Sequence, residues 1–323
     1  MIRLAVIGAG RHSTRCHGPA LKYVNDARPG RIELAAVCDL VPGKAREYAD
    51  KFGFHRAYQD LKTLLDREKP DGIIAVTPLD QTESIAGLIL EARVPVLIEK
   101  PPGRDSAAAA RLAEVAERTG TPHMVSFNRR FSPAVAEACA WLARQTPRLP
   151  PWLVLGRMLR HARREPNFAV ETGIHLVDAV LSFTPRPIRV RTQRLEGAVP
   201  GSHLFDVRMT CDGGAVAGLL IAPEVGHVEE TYEVYGRDYS LVIDAWTCSF
   251  RAFEGDRLAV HWQAPADAPA VFRDGTLGEM EAFVRSLEWG LPHRPNLRDA
   301  LASMRVAEAI QAGLPDYALP AAG

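Results

Sequence analysis

A wholly apolar run, Leu4-Ala5-Val6-Ile7, ends directly on Gly8-Ala9-Gly10. That junction constrains the chain more than any other stretch. A strand with no polar alternate position is buried on both faces, the habit of a central strand in a parallel sheet. A glycine turn at its end lets backbone N–H groups and the following helix N-terminus face a pyrophosphate. The third glycine of a GxGxxG pattern would fall at position 13, where Ser13 stands. Taken alone, the turn also fits a bare strand–helix connection.

The pattern then repeats. Short β-rich runs at 33–38, 72–76, 96–98 and 124–127 alternate with helical patterns at 16–24, 43–52, 60–68, 82–92 and 106–119. The last helix follows Asp105 as a cap and stops at Gly120. Such alternation predicts an α/β Rossmann domain, a doubly wound parallel sheet, over residues 1–124. The second run ends in Cys38-Asp39, where a carboxylate can accept from adenosine ribose hydroxyls. The spacing from the glycines is long, and the loop 25–31 supplies the extra length. Alternatively, Asp39 is a turn residue ahead of Pro42-Gly43.

Residues 125–323 read as a C-terminal α+β domain on an open, mainly antiparallel sheet. Pro147, Pro150 and Pro151 mark a connection, 152–159 a strand and 172–181 a helix. From 188 to 262 the chain is strand-rich, with turns at Asp212-Gly213-Gly214, Gly236-Arg237-Asp238 and Glu254-Gly255-Asp256. Helices at 277–289 and 297–312 close the chain, and the closing helix is free to pack back on the first domain. Leu219, Ile221, Tyr232, Val234 and Leu241 are expected on the sheet's open face, where they would pair two or four copies.

The formal net charge is zero, so no global field recruits nucleic acid or an anionic membrane. No uncharged apolar stretch is long enough for a membrane span. Five cysteines without a CxxC pair fit reduced thiols in a cytoplasmic protein and hold no metal. The densest basic cluster, Arg157, Arg160, Arg163 and Arg164, reads as a solvated strand end and loop.

Several residues can carry chemistry. Lys100 follows a strand whose C-terminal end borders the ligand crevice of such sheets, and its ammonium can steady a developing alkoxide. On position alone it is as readily a surface lysine before a proline turn. His175 can take and return a hydroxyl proton near neutrality. If helical, Glu171 is its i,i+4 neighbour and tunes it. A satisfied buried histidine and one half of a metal pair are the alternatives. Arg129 and Arg130 suit a substrate carboxylate or phosphate, or an ion pair at the domain junction. Tyr232 and Tyr235 fit a half-buried strand better than a sugar platform, and Trp246 and Trp262 fit core or interface.

In this order the motifs resemble the Gfo/Idh/MocA family, named for glucose–fructose oxidoreductase, inositol dehydrogenase and rhizopine catabolism. Gly8-Ala9-Gly10 and Cys38-Asp39 match its nucleotide site, Val76-Thr77-Pro78 its turn after the fourth strand, and Glu99-Lys100-Pro101 its signature tripeptide. Asn128-Arg129-Arg130-Phe131 resembles its crossover, and Gly173-Ile174-His175-Leu176-Val177-Asp178 its active-site helix. Thr82, the Cys16-His17 pair and Glu171 depart from its pattern.

The resemblance implies an NAD-dependent enzyme, with NADP less favoured, that moves hydride at a hydroxyl carbon of a sugar, sugar acid or inositol. Gly8, Gly10, Arg11, His12, Asp39, Thr77, Pro78, Glu99 and Lys100 would hold the cofactor. Lys100, Arg129, Glu171 and His175 would face the polyhydroxylated substrate, in a cleft between the domains. A nucleotide-binding regulatory protein without turnover, and a reductase of a non-sugar substrate, remain as alternatives.

Overall fold

The computed structural model describes residues 1–145, 150–197 and 202–320; Pro147 of the expected connection lies outside them. Two compact units form: Met1–Asn128 with Thr276–Leu301, and Arg129–Gly275 with Ala302–Gly323.

The first unit opens β1 (Ile2–Ile7), α1 (Arg11–Arg15), α2 (His17–Ala27), β2 (Ile32–Cys38), α3 (Pro42–Phe52) and β3 (Arg56–Tyr58). It continues α4 (Leu61–Glu68), β4 (Gly72–Ala75), α5 (Leu79–Glu91), β5 (Val96–Glu99), α6 (Ser106–Thr119) and β6 (His123–Ser126). The strands make one parallel sheet in the order β3-β2-β1-β4-β5-β6. Chain order reverses at β1, whose neighbours are β2 and β4, and a ligand crevice belongs at that switch point. Leu4, Ala5 and Val6 are fully buried, as a two-sided apolar strand requires. Sequence patterning does not reveal β3, a three-residue edge strand with little alternation, nor the break at Cys16 that divides the first helix into α1 and α2.

The second unit runs α7 (Pro133–Gln145), β7 (Leu153–Leu159), a π-helical turn (Ala169–Gly173), α8 (Ile174–Leu181), β8 (Pro187–Glu196), β9 (His203–Cys211) and β10 (Val216–Ala222). Then come β11 (Glu229–Tyr235), β12 (Tyr239–Asp244), β13 (Ser249–Glu254), β14 (Arg257–Gln263) and α9 (Ala270–Arg273). Two helices, α10 (Thr276–Trp289) and α11 (Leu297–Gln311), and the short β15 (Tyr317–Ala318) end the chain. The sheet order is β14-β13-β12-β11-β7-β10-β9-β8-β15, antiparallel except for the parallel pair β7 and β10. Helix α7 begins inside a stretch without a clear sequence signal, yet it buries Ala134, Val135, Ala138, Trp141 and Leu142.

Helix α10 belongs to the first unit. Its Phe283 and Leu287 lie where a side chain on Gly72 would stand. Arg31 donates to Glu281 and Glu288 on that helix, and Ser126 donates to Glu279 at 2.7 Å.

One expectation is corrected. Leu219, Ile221, Tyr232, Val234 and Leu241 do not lie on the open face: all are at most 2% exposed and join the core of the second unit. The strand period of two places the opposite set on the other face. Leu155, Leu220 and Val242, half-buried there, are interleaved with Arg157, Glu233 and Arg251.

Candidate functional site

At the β1/β4 switch point lies a cavity of about 650 Å³. Gly8 and Gly10 form one rim, Asp39 another, and Thr77 with Pro78 a third. Gly8 holds φ near +100°, and a Cβ there would lie 2.0 Å from the Val76 carbonyl oxygen. Only glycine lets the turn press this closely on the chain leaving β4. Around Gly10 a Cβ would meet nothing within 4 Å, so its backbone is open to a ligand. Leu40, Val41, Leu61, Leu65, Ile85 and Leu88 make an apolar wall suited to a flat base. These residues escaped the sequence reading because they come from three separate stretches, the connection after β2, α4 and α5, and share no motif.

Asp39 is fixed by two backbone donors. Ala9 donates to one carboxylate oxygen at 2.8 Å, and Val41 to the other at 2.9 Å. Each oxygen keeps further lone-pair capacity for a ribose hydroxyl. Lys44 and Lys62 also border the cavity. Ser13, in place of the third glycine, is fully buried, and its hydroxyl donates to the Tyr48 oxygen at 3.0 Å. Burial then pushes the Tyr48 phenol well above its ordinary value. The serine thus keeps the close helix packing and satisfies its own hydroxyl.

Arg11, His12, Glu99 and Lys100 do not line this cavity. Arg11 and His12 open α1, while Glu99 ends β5. His12 Nε2 and His17 Nε2 both meet Glu99 Oε1, at 2.9 and 3.1 Å. Burial alone would raise the Glu99 carboxyl, but hydrogen bonds from the two imidazoles outweigh it and hold the group well below the carboxylate range. His12 rises to about 10, first through its contact with Cys16 and then through Glu99. Lys100 follows, half-buried.

In the second unit His175 sits on the first turn of α8, half-buried. The residues before it form a π-helical turn, Ala169–Gly173, rather than α-helix, and Glu171 lies within that turn. A side chain on Gly156 would lie 2.7 Å from Val180 and 2.9 Å from Leu176, so α8 seats directly on β7. Arg130 forks onto Asp178 at 2.7 and 2.8 Å, and Ser303 donates to the same carboxylate.

Arg129 is also committed to a protein carboxylate. It donates to Glu230 at 2.9 Å, and Arg160 and the Tyr232 hydroxyl donate to the same group. Burial opposes the charge on Glu230, but Arg129 and Arg160 outweigh it and hold the carboxyl at about 2. Of the two readings of Arg129 and Arg130, the ion pair is the one observed. Arg160 also departs from expectation: it is buried in this network rather than solvated. Two arginines and a tyrosine around one buried carboxylate form a satisfied polar knot. Tyr235 donates to Glu233, Trp262 stacks on Phe250, and Trp246 is exposed. Among the described residues, the five cysteines are free thiols, and no helix is long and apolar enough to cross a membrane.

Comparison with known proteins agrees with this geometry. The NAD-binding Rossmann fold of the Gfo/Idh/MocA oxidoreductase family matches residues 2–127. The chain is similar to the rhizopine catabolism protein MocA of Rhizobium meliloti, 26% identical over 95% of this chain and 93% of that protein. It is likewise 26% identical to D-apiose dehydrogenase of Paraburkholderia graminis, over 66% of this chain but only 58% of that enzyme's length. In fold it resembles levoglucosan dehydrogenase in complex with NADH, with a TM-score of 0.84, 18% identity and 99% coverage of both chains. A glycine turn, a doubly anchored carboxylate and an apolar wall at the switch point all fall within the matched stretch, and residues 2–127 are similar to the NAD-binding Rossmann domain of the Gfo/Idh/MocA oxidoreductase family.

Proposed function

We propose that this protein is an NAD-dependent dehydrogenase that moves hydride between nicotinamide and a hydroxyl-bearing carbon of a sugar, sugar acid or inositol. The carrying observation is the cavity at the β1/β4 switch point, closed by Gly8, Gly10 and a doubly anchored Asp39. The substrate class follows from relatives named as dehydrogenases of apiose, glucosides and inositol. Bound NAD supplies the hydride acceptor.

The remaining work falls to side chains. Hydride leaves a carbinol carbon only as its hydroxyl gives up a proton, so a base must reach that oxygen. His175 is assigned as that acid/base, Lys100 as the cation that steadies the alkoxide, and Glu171 as the group that tunes the histidine. The two arginine pairs leave Arg129 a structural part in this reading. NAD is preferred over NADP because the Asp39 carboxylate repels a 2′-phosphate; Lys44 and Lys62 pull the other way. With its cysteines as thiols the enzyme suits the cytoplasm, as a homo-oligomer joined through the open face of the second sheet.

Absorbance at the nicotinamide band, with NAD and a panel of inositols, aldoses and sugar acids, tests the reading. Reduction dependent on one of these substrates is expected, and its absence across the panel overturns the assignment. The Asp39→Ser variant is expected to narrow the NAD-to-NADP ratio of kcat/KM; an unchanged ratio removes Asp39 as the discriminator.

A further inference from the structure

We propose that His12, His17 and Glu99 form a binding site for a single zinc-class divalent cation. The three residues come from α1, α2 and the end of β5, and their donor atoms all lie within 4.8 Å of one another. Two imidazole nitrogens and one carboxylate oxygen, with a fourth position left for water, is a donor set that zinc accepts. Imidazole donors select zinc or cobalt over magnesium or calcium, which prefer all-oxygen surroundings.

The protein supplies the anion in advance. Glu99 is buried, ionised and already addressed by both imidazoles through the same oxygen. A buried carboxylate needs compensating positive charge. His17 Nδ1 is buried with no hydrogen-bond partner among the described residues. A cation entering the triad would take the Nε2 lone pairs: a neutral ring then carries its one proton on Nδ1, and a doubly protonated ring gives one proton to solvent.

The nitrogen–oxygen adjustment required is small. Tetrahedral bonds of about 2.0–2.1 Å place neighbouring donors about 3.3 Å apart. The nitrogen–oxygen separations here are 2.9 and 3.1 Å, so each opens by a few tenths of an ångström. His12 has room to give, since its side chain is 54% exposed. The same exposure provides the entry path and the water position. Cys16 stands 3.9 Å from His12 Nδ1, on the other side of the ring, and is not a ligand in this arrangement.

The test uses the full chain, stripped with chelator and titrated with Co²⁺ and then Zn²⁺, alongside calorimetry. The visible d–d bands of tetrahedral Co²⁺ should saturate at a single equivalent and collapse when Zn²⁺ is added. His12→Ala, half-exposed and checked for folding by circular dichroism, should weaken Zn²⁺ at least ~100-fold, the upper end of what losing even a supporting group costs. Glu99→Gln should do the same, and Cys16→Ser should leave affinity as it was. No saturable binding in the unmodified chain, retained affinity in His12→Ala, or loss of binding in Cys16→Ser would each overturn the assignment.

Discussion

At the scale of single residues, the proposed chemistry rests on few groups, each testable alone. General acid–base groups contribute ~10²–10⁴-fold, so His175→Ala should lower kcat by about that factor with NADH affinity nearly unchanged. Lys100→Met should cost a comparable amount. Steady-state rates and fluorescence titration of NADH separate the two effects; normal turnover in His175→Ala would move the base elsewhere. His12 offers a pH-dependent check. Its pKa rises in the folded chain from 6.5 to about 10, so the folded state holds a proton that the unfolded state releases. The stability gained is fully present below pH 6.5 and is lost as pH rises through about 10. The Tm gap between the unmodified chain and His12→Gln should therefore shrink across that window; a constant gap would contradict the pairing with Glu99.

Among elements, the position of α8 is the most exposed to small changes. Gly156 lets the helix lie on β7, with Val180 and Leu176 where a side chain would go. Overpacking a well-filled core costs ~1–3 kcal/mol. Gly156→Ala is expected to lose stability in that range by denaturant midpoint, and to lower kcat more than NADH affinity, because His175 rides on the displaced helix. Unchanged kcat in a destabilised variant would separate α8 from catalysis. The Arg130–Asp178 fork and Ser303 restrain the same helix from other sides. Three attachments on eight residues argue that its placement matters.

For the whole molecule, the proposed assembly would use the other face of the nine-stranded sheet. Leu155, Leu220 and Val242 alternate there with Arg157, Glu233 and Arg251, a mixture of apolar and paired charges. Exposed apolar patches rimmed by charge mark association surfaces. Light scattering is expected to report a dimer or tetramer at micromolar concentration, and Leu220→Glu to shift it toward monomer. A monomeric unmodified chain would refute the interface.

The sequence by itself determined the alternating strand–helix order of the first unit, apart from β3 and the break at Cys16. Two-sided apolar strands, helical caps such as Asp105, and glycines that only one backbone conformation accepts are local signals, and β1, α6 and the Gly8 turn follow from them. Asp39 was legible because it directly follows the second strand, although its spacing from that turn is longer than usual. Tertiary structure alone decided the rest, because the determinants are far apart in the chain. Arg129 and Arg130 had two equal readings until Glu230 and Asp178, 101 and 48 residues away, folded against them. The face that Leu219 and Tyr232 choose depends on which side the helices cover, and period-two alternation is blind to that choice. His17 gave no sign of meeting Glu99, because only the parallel sheet brings residue 17 to the end of β5.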